Sequence, residues 1–172
     1  MNGKLKSLPL MLGCILGIAC AFADTGTRAV ETTRTIHASP DDVLKAFLDD
    51  GDLKGWWKVS RSLVEPKPGG IWSITWDNWG EEKTHHAWSG VIENLTADRL
   101  LIGHLVMNEP DMPLFGPMQL EIRVEPAAGG TSLTVSHRGY GYGGAWDRIY
   151  ELVVSGWDHV LGDMATWVNE GY

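Results

Sequence analysis

The sequence predicts an α+β domain in which an antiparallel sheet packs against one long C-terminal helix. Two observations lead to this prediction. Between residues 60 and 138, six short segments alternate apolar and polar side chains with the period of two that strands show, and glycine-rich turns and loops separate them. From Tyr150 onward the apolar residues instead recur three and four positions apart, which is typical of one face of an amphipathic helix.

The first 23 residues are predicted to be a secretory signal peptide rather than part of the domain. Two lysines open it, an apolar run covers Leu8 to Phe22, and Ala21-Phe22-Ala23 is a small-x-small cleavage site. The apolar run is shorter than the roughly 20 residues that a membrane span needs. We therefore predict cleavage between Ala23 and Asp24, a periplasmic or secreted location, and no stable membrane anchor after cleavage. Lipoprotein processing at Cys20 is the alternative.

Removal of this leader changes what the composition permits. Both cysteines lie within it, so the remaining 149 residues (24–172) can form no disulfide, thiolate metal site or cysteine nucleophile. This length suits one domain with a sizeable core. Loss of the leader's two lysines leaves 12 basic residues against 22 acidic ones, a net charge of −10. With no basic cluster, such a chain is a poor candidate for nucleic acid or anionic lipid.

The predicted elements follow one another without a repeat or a linker. Arg28 to His37 has enough threonine, valine and isoleucine for a strand. Ser39-Pro40-Asp41-Asp42 predicts a helix start, with serine as the cap, proline at the first helical position and acids in the first turn. Asp49 to Trp57 is a short connection, helical in one interpretation. The strands that follow are predicted at Ser60–Glu65, Ile71–Asp77, His85–Glu93, Arg99–Met107, Pro117–Glu125 and Thr131–Arg138.

Six short stretches of the chain, read in order, carry a family resemblance. They are TIHASPDDVLKAFLD, WW, PKPGGIW, GVIENLTADRLLI, GGTSLTVSHRGY and VVSGWDHVLGDM, and they span about Arg28 to Val168. They resemble the START-like (SRPBCC) superfamily, and within it most closely the branch named for activators of a heat-shock chaperone ATPase. The resemblance implies a helix-grip fold, in which a curved seven-stranded antiparallel sheet grips the C-terminal helix around an elongated apolar cavity. It implies a pocket but no universal catalytic residues, because the superfamily includes lipid and hormone carriers as well as aromatase/cyclases.

Alternation along the strands predicts which side chains face that helix. In Ile71–Asp77 the even positions are apolar and the odd positions are mostly polar, and the same test extends the inward set to the later strands. A narrow layer between sheet and helix fills more easily with leucine and valine than with indoles, so a cavity wall is favoured over a solid core, which is the alternative. Trp56 and Trp57 are instead expected to pack at the end of the short helices. The predicted cavity-lining residues are Trp72, Ile74, Trp76, His86, Trp88, His104, Leu120, Ile122, Val135, His137, Trp157 and Leu161.

Three of these residues are candidates for chemistry. By alternation His86, His104 and His137 all face inward. Three neutral imidazoles can bind zinc, and one beside Asp77 could act as a base. Alternation alone does not establish that the three rings converge. We therefore expect no metal site, and the catalytic residues, if any, stay unassigned.

The stretch GYGYGG, Gly139 to Gly144, formally matches the G-x-G-x-x-G motif of dinucleotide sites. Such a site needs a second strand after the helix, with an acid at its end, and no such strand is predicted. We therefore expect no cofactor. The stretch is interpreted as a hinge or an ordinary glycine loop, with Tyr140 and Tyr142 near the cavity mouth.

These features together predict an exported START-like protein that binds a small apolar or aromatic molecule in an internal cavity. A cyclase- or hydrolase-type enzyme that uses the same cavity is the first alternative, with His86, His104 or His137 moving a proton. A co-chaperone role, after the name of the branch, is the second. The leader argues against it, because the chaperone and its ATP are cytosolic. The sequence predicts neither the identity of the ligand nor the oligomeric state.

Overall fold

The seven predicted strands form one antiparallel sheet that wraps around a long helix. A computed structural model describes residues 27–170, and the predicted signal peptide with its cleavage site lies outside this range. The elements are β1 (Arg28–Ile36), α1 (Pro40–Lys45), α2 (Asp50–Trp56), β2 (Arg61–Val64), β3 (Ile71–Trp79), β4 (Thr84–Thr96), β5 (Arg99–Asn108), β6 (Phe115–Ala127), β7 (Gly130–Tyr140) and α3 (Ala145–Glu170). The order of strands across the sheet is β1-β7-β6-β5-β4-β3-β2, so strands β2 to β7 form a meander with β2 at one edge, and β1 pairs with β7 at the other edge.

This architecture is the helix-grip fold, as the resemblance implied. The predicted start of α1 is confirmed, since the Ser39 hydroxyl accepts the backbone N–H of Asp42 at 3.2 Å and Pro40 opens the helix. The connection after it is a true helix, α2, whose first turn is capped in the same way by Asp49. No helix within residues 27–170 is long and apolar enough to cross a membrane.

Helix α3 supplies the inner layer against which the sheet packs. It begins at Ala145, one and a half turns before the apolar stripe read from the sequence, because the glycines that precede it end at Gly144. Its buried positions recur three and four residues apart and so form a single face. The buried residues of this face are Ile149, Val153, Trp157, Leu161 and Met164.

One irregularity in β5 changes which residues face the core. The pairing of β5 with both neighbours shifts register around Gly103 and His104, and His104 has a φ of 50°. A bulge of this kind inserts a residue and breaks the alternation. Leu105 and Met107 are therefore buried, and the side chain of His104 is 77% exposed. The prediction that His104 faces inward is wrong, because strict alternation from Ile102 does not allow for the bulge.

Candidate functional site

A cavity of about 290 Å³ lies between the β3–β5 part of the sheet and helix α3. We call it the tryptophan-lined cavity, because indoles from three parts of the chain form most of its wall. Its volume is at the lower end of the range of about 300–1,000 Å³ that ligand pockets span. Helix α3 closes one side with apolar residues and with Gly156. The tryptophans of the described region that line the cavity are Trp56, Trp57, Trp76, Trp79, Trp88 and Trp157.

Edge-to-face contacts hold these indoles in place. The ring of Trp57 lies 5.4 Å from that of Trp76 and 5.8 Å from that of Trp88, and the last two rings are 5.6 Å apart. The interplanar angles of these three pairs are 71°, 88° and 75°, the T-shaped arrangement that aromatic quadrupoles favour. Three rings thus meet at near right angles. The cavity lies beside this group of rings, and all three of them border it.

Hydrogen bonds to the backbone fix the polar edges of two of these indoles, whereas within residues 27–170 the buried Nε1 of Trp157 has no partner. Nε1 of Trp76 donates to the carbonyl oxygen of Trp57 at 2.9 Å, and Nε1 of Trp56 donates to that of Ala46 at 2.9 Å. A buried indole N–H needs such a partner. With these donors satisfied, the two rings contribute mainly apolar surface to the cavity.

One corner of the cavity is polar and consists of Glu109 and His86; we call this pair the polar corner. Nδ1 of His86 lies 2.5 Å from Oε2 of Glu109, and the indole N–H of Trp88 donates to Oε1 at 2.8 Å. Both side chains of the pair are largely buried, with 12% of Glu109 and 21% of His86 exposed. The carboxylate therefore accepts two hydrogen bonds within a mostly apolar wall, and it orients the imidazole.

Both ring nitrogens of His86 have a hydrogen-bond partner. Nδ1 faces a carboxylate, which can only accept, so this nitrogen is the donor. Nε2 lies 2.8 Å from the hydroxyl oxygen of Thr84, which is also 3.1 Å from the carbonyl oxygen of Trp79. The two partners together fix the orientation of the ring.

Strand register brings the two residues of the polar corner together. His86 on β4 pairs with Trp76 on β3, and the next residue, Ala87, pairs with Asn108 on β5. Glu109 follows Asn108 and so extends the row formed by Trp76 and His86 across a third strand.

Glu109 was not among the predicted site residues, although the sequence contains a signal for it. It follows the predicted strand Arg99–Met107 and precedes a proline, so alternation along that strand does not extend to it. Thr96 pairs with Arg99 across a two-residue turn, and an uninterrupted hairpin in that register would place His86 opposite Glu109. Two irregularities between β4 and β5 shift the register and then restore it, so the simple hairpin register holds at the cavity.

The predicted cavity-lining residues separate into three groups. Trp76, His86, Trp88 and Trp157 lie in the cavity wall. His104 lies on the outer face of the sheet, as described above. The others are buried in the closely packed core and do not line the cavity; they are Trp72, Ile74, Leu120, Ile122, Val135, His137 and Leu161. Except at His104, alternation identified which side chains point inward, but it did not identify which of them border a space.

Three further tryptophans in the wall were not predicted there. Trp56 and Trp57 do lie at the end of α2, as expected, but they also form one side of the cavity. Trp79 lies beyond the predicted end of its strand at Asp77; a φ of 57° at Asn78 interrupts the alternation, and Trp79 still lines the mouth. It is the most exposed indole of the wall, at 46%.

The glycine-rich stretch before α3 does not contribute to the wall. Tyr140 is fully buried and Tyr142 is largely exposed over the guanidinium of Arg28, whose carbon lies 4.7 Å from the ring centroid. Neither tyrosine borders the cavity, so the expectation that they lie near its mouth is wrong. The reason is that β7 continues to Tyr140, which still pairs with Arg28 of β1 after a shift in register, and the chain turns away only at Gly141.

The three inward candidates for chemistry do not converge. His137 is fully buried behind the wall, with Nδ1 2.8 Å from the hydroxyl of Tyr140, and within residues 27–170 its Nε2 has no hydrogen-bond partner. Burial lowers the pKa of His137 from 6.5 to about 3, so the ring is neutral at ordinary pH. Burial, and after it the charge of Glu109, raises the pKa of Tyr140. Of the three histidines, His86 is the one that borders the cavity.

Asp77, considered above as a partner for an inward histidine, lies on the other face of the sheet. Its carboxylate pairs with Arg61 at 2.8 Å and with Nδ1 of His85 at 2.7 Å. Hydrogen bonds from these two groups, that from Arg61 first, lower the pKa of Asp77. His85 and His86 therefore point to opposite faces, as adjacent strand residues must, and Asp77 takes no part in the cavity.

Comparison with known families agrees with this geometry. The family model described as "Activator of Hsp90 ATPase homolog 1-like protein" matches residues 37–169. No curated protein sequence matches the chain.

Several solved structures share the fold at low sequence identity. Protein CV1439 from Chromobacterium violaceum is 20% identical, with a TM-score of 0.62 over 81% of this chain and 96% of that one. Protein SA2116 from Staphylococcus aureus, described as of unknown function, is 16% identical, with a TM-score of 0.65 over 84% and 95%. DynU16, described as a protein of the dynemicin biosynthetic locus, is 19% identical, with a TM-score of 0.63 over 83% of this chain and 48% of that one. At such identities the likeness extends to the fold alone.

Proposed function

The chain belongs to the family of activator of Hsp90 ATPase homolog 1-like proteins, and on that premise we propose that it is an exported START-like protein that binds a small, largely apolar or aromatic molecule. One observation carries the proposal: six indoles line a cavity of about 290 Å³ beside helix α3, and this cavity has a largely buried polar corner of Glu109 and His86. Ligand pockets are concave and mostly apolar, with a few polar groups that fix the orientation of the ligand. The cavity has this composition.

The wall of the cavity favours binding because it is already ordered. Transfer of apolar surface from water is worth about 25 cal/mol per Å². A binding site loses part of that gain when side chains must be immobilised. Here Trp57, Trp76 and Trp88 are held by mutual ring contacts and by hydrogen bonds, so a ligand finds a preformed surface.

Export is the second part of the proposal and is supported by the leader features described above. A protein outside the cytosol does not meet a cytosolic chaperone ATPase, so the co-chaperone role suggested by the family description ranks below ligand binding. Expression of the full chain in a bacterium tests this part. We expect periplasmic protein whose N-terminus is Asp24. Cytosolic protein that keeps the intact leader would remove the claim of export and restore the co-chaperone alternative.

Ligand binding is tested with a neutral apolar fluorophore, N-phenyl-1-naphthylamine, which accepts energy from excited tryptophans. We expect one fluorophore bound per chain. The informative variant is Gly156→Leu, because Gly156 lines the cavity and an added Cβ meets no atom within 4 Å. A leucine there fills part of the cavity, and loss of a helical glycine favours stability by about 1 kcal/mol.

The matched control is Gly162→Leu, on the same helix but outside the cavity wall. An added Cβ at Gly162 meets only the guanidinium of Arg34, at an ordinary 3.6 Å. We expect Gly156→Leu to weaken binding of the fluorophore about tenfold or more while Gly162→Leu leaves it unchanged. Equal binding by both variants, or no binding by folded wild-type protein, would contradict the proposal.

A proton-transfer enzyme is a second candidate, favoured by the contact between His86 and Glu109. A histidine oriented by a carboxylate in an apolar cavity is a suitable general base, and such a group is typically worth about 10²–10⁴ in rate. Its test is prolonged incubation of any molecule retained by the purified protein, with wild type and with His86→Ala. Conversion that the variant abolishes while it still binds the molecule would establish the enzyme. An unchanged molecule supports the carrier.

A further inference from the structure

We infer that the ligand of the tryptophan-lined cavity is an organic cation, with an amine or quaternary ammonium group at Glu109 and an apolar body among the indoles. The inference rests on the proposed ligand-binding function and specifies the chemical class of the ligand. It comes from two features of the same wall: a carboxylate with acceptor capacity left, and aromatic rings at several orientations around it.

The carboxylate of Glu109 can accept more hydrogen bonds than the protein gives it. Each of its oxygens accepts one hydrogen bond, from His86 at 2.5 Å and from the indole N–H of Trp88 at 2.8 Å. A carboxylate has about four acceptor positions, so two stay open. Since Glu109 lines the cavity and is 12% exposed, a ligand that enters meets it in a region from which most water is excluded. In such surroundings a carboxylate attracts a cation far more strongly than in water.

The surrounding rings favour the same charge. The face of an indole is negative, and cations bind over it most strongly where water is absent. Trp88 both donates to Glu109 and borders the cavity, so the aromatic and the ionic contacts lie side by side. With Trp57 and Trp76 it forms a three-ring corner whose planes differ by 71° to 88°. Proteins use cages of aromatic rings to recognise quaternary ammonium and methylated lysine groups.

The other charged groups of the wall do not reverse this preference. Lys58, the one cationic side chain of fixed charge among the described lining residues, donates to the carbonyl oxygen of Gly55 at 2.6 Å. Asp163 lies 3.5 Å from His159 and adds a second carboxylate at the rim. The described wall thus holds two carboxylates, Glu109 and Asp163, and one ammonium, that of Lys58. An anionic ligand would meet Glu109 and the negative faces of the rings, and the structure disfavours it.

Three probes of matched shape and different charge test the inference. Benzyltrimethylammonium is the cation, neopentylbenzene is its neutral isostere with carbon in place of nitrogen, and phenylmethanesulfonate is the anion. Each competes with N-phenyl-1-naphthylamine for wild-type protein. We expect the cation to displace the fluorophore about tenfold more effectively than the neutral isostere, and the anion to be the weakest. Equal or better displacement by the neutral probe or the anion would overturn the inference.

The Glu109→Gln variant assigns the preference to one carboxylate. We expect the ratio of cation to neutral affinity to fall about tenfold, while binding of neopentylbenzene stays within about twofold and shows that the variant is folded. Glu151→Gln, an exposed change of the same charge on α3 that does not line the cavity, should leave the ratio unchanged. A ratio that Glu109→Gln leaves intact would overturn the inference. If Glu109→Gln does not fold, the relative affinities of wild-type protein for the three probes test the inference on their own.

Failure of the inference and failure of the proposed function give different results. A fluorophore that binds wild type and is lost in Gly156→Leu, together with no preference for the cation, contradicts the cationic ligand and leaves the carrier in place. Absence of binding by the fluorophore and by all three probes contradicts both.

Discussion

The two halves of the inner sheet face obey the same alternation but are filled differently. In the aliphatic half, on β6 and β7, Leu120, Ile122 and Val135 are at most 1% exposed and leave no cavity. In the indole half, on β3 and β4, Trp76 and Trp88 point inward in the same way but border the cavity. An indole does not by itself leave a void, since Trp72 on β3 is also fully buried and lies outside the cavity wall. Alternation thus predicts most of the side chains that face the helix, whereas closure of the layer depends on how all the neighbouring side chains fill it.

The largest effect is expected from a cavity made in the aliphatic half. Ile122→Ala should lower the free energy of unfolding by about 2–5 kcal/mol, because Ile122 is fully buried and its neighbours can only partly close the void. Affinity for N-phenyl-1-naphthylamine should stay within about twofold. Urea unfolding and fluorescence titration measure the two quantities. Weaker binding without loss of stability would show that the cavity extends into the aliphatic half.

The buried histidine tests where the boundary between the halves lies. The ring of His137 is 5.5 Å from that of Trp88, and burial lowers its pKa from 6.5 to about 3. As the pH falls below 6.5, His137 becomes protonated in the unfolded chain but stays neutral in the folded chain. The contribution of His137 to stability is therefore complete above that pH and is lost by about 1.4 kcal/mol per pH unit down to about pH 3.

Replacement of His137 isolates this contribution from those of other titratable groups. His137→Phe should lose stability less steeply than wild type between about pH 6 and pH 4, by about 1.4 kcal/mol per unit. Urea unfolding at several pH values measures the slope. Parallel slopes would mean that water from the cavity reaches His137 and that its pKa is ordinary.

A change in the exposed part of the indole half should affect binding more than stability. Trp79 is 46% exposed and lines the mouth, so Trp79→Ala should weaken binding of the fluorophore about tenfold and cost less than about 1.5 kcal/mol of stability. Leu63→Ala is the matched control, since Leu63 is a comparably exposed apolar residue on β2 that does not line the cavity. A tenfold loss in the control as well would point to a general effect of exposed apolar surface.

The smallest effect is expected at the misassigned histidine. His104→Asn keeps a residue type that tolerates the positive φ of 50° and removes the imidazole. Because the side chain is 77% exposed on the outer face, stability should change by less than about 0.5 kcal/mol and fluorophore affinity by less than about twofold. A larger change in affinity would contradict the assignment of His104 to the outer face and indicate that it contributes to the cavity.

Much of the fold was predictable because its signals are local. The cap of α1 at Ser39 and the alternation in β3 depend on a few adjacent residues, and both predictions are confirmed. The exposure of His104 was not predictable, because a bulge depends on how three strands pair.

The cavity was predictable only in part, for a similar reason. The inward positions of Trp76 on β3 and of His86 and Trp88 on β4 follow from alternation along each strand separately. Glu109 depends on the register between two strands, and Trp57 depends on how α2 packs over the sheet. Whether a buried side chain borders a void depends on the volumes of all its neighbours, which no single stretch of sequence specifies.

Native mass spectrometry of protein purified from its own host tests the central claim most directly, since it weighs whatever the cavity retains. We predict that wild-type protein carries one small molecule per chain, that Gly156→Leu has lost it, and that Gly162→Leu keeps it, because only the first substitution fills the cavity. A retained molecule present equally in all three proteins would place its site elsewhere. Bare polypeptide masses throughout, from protein that also fails to bind the fluorophore, would contradict the claim that the tryptophan-lined cavity is a binding site.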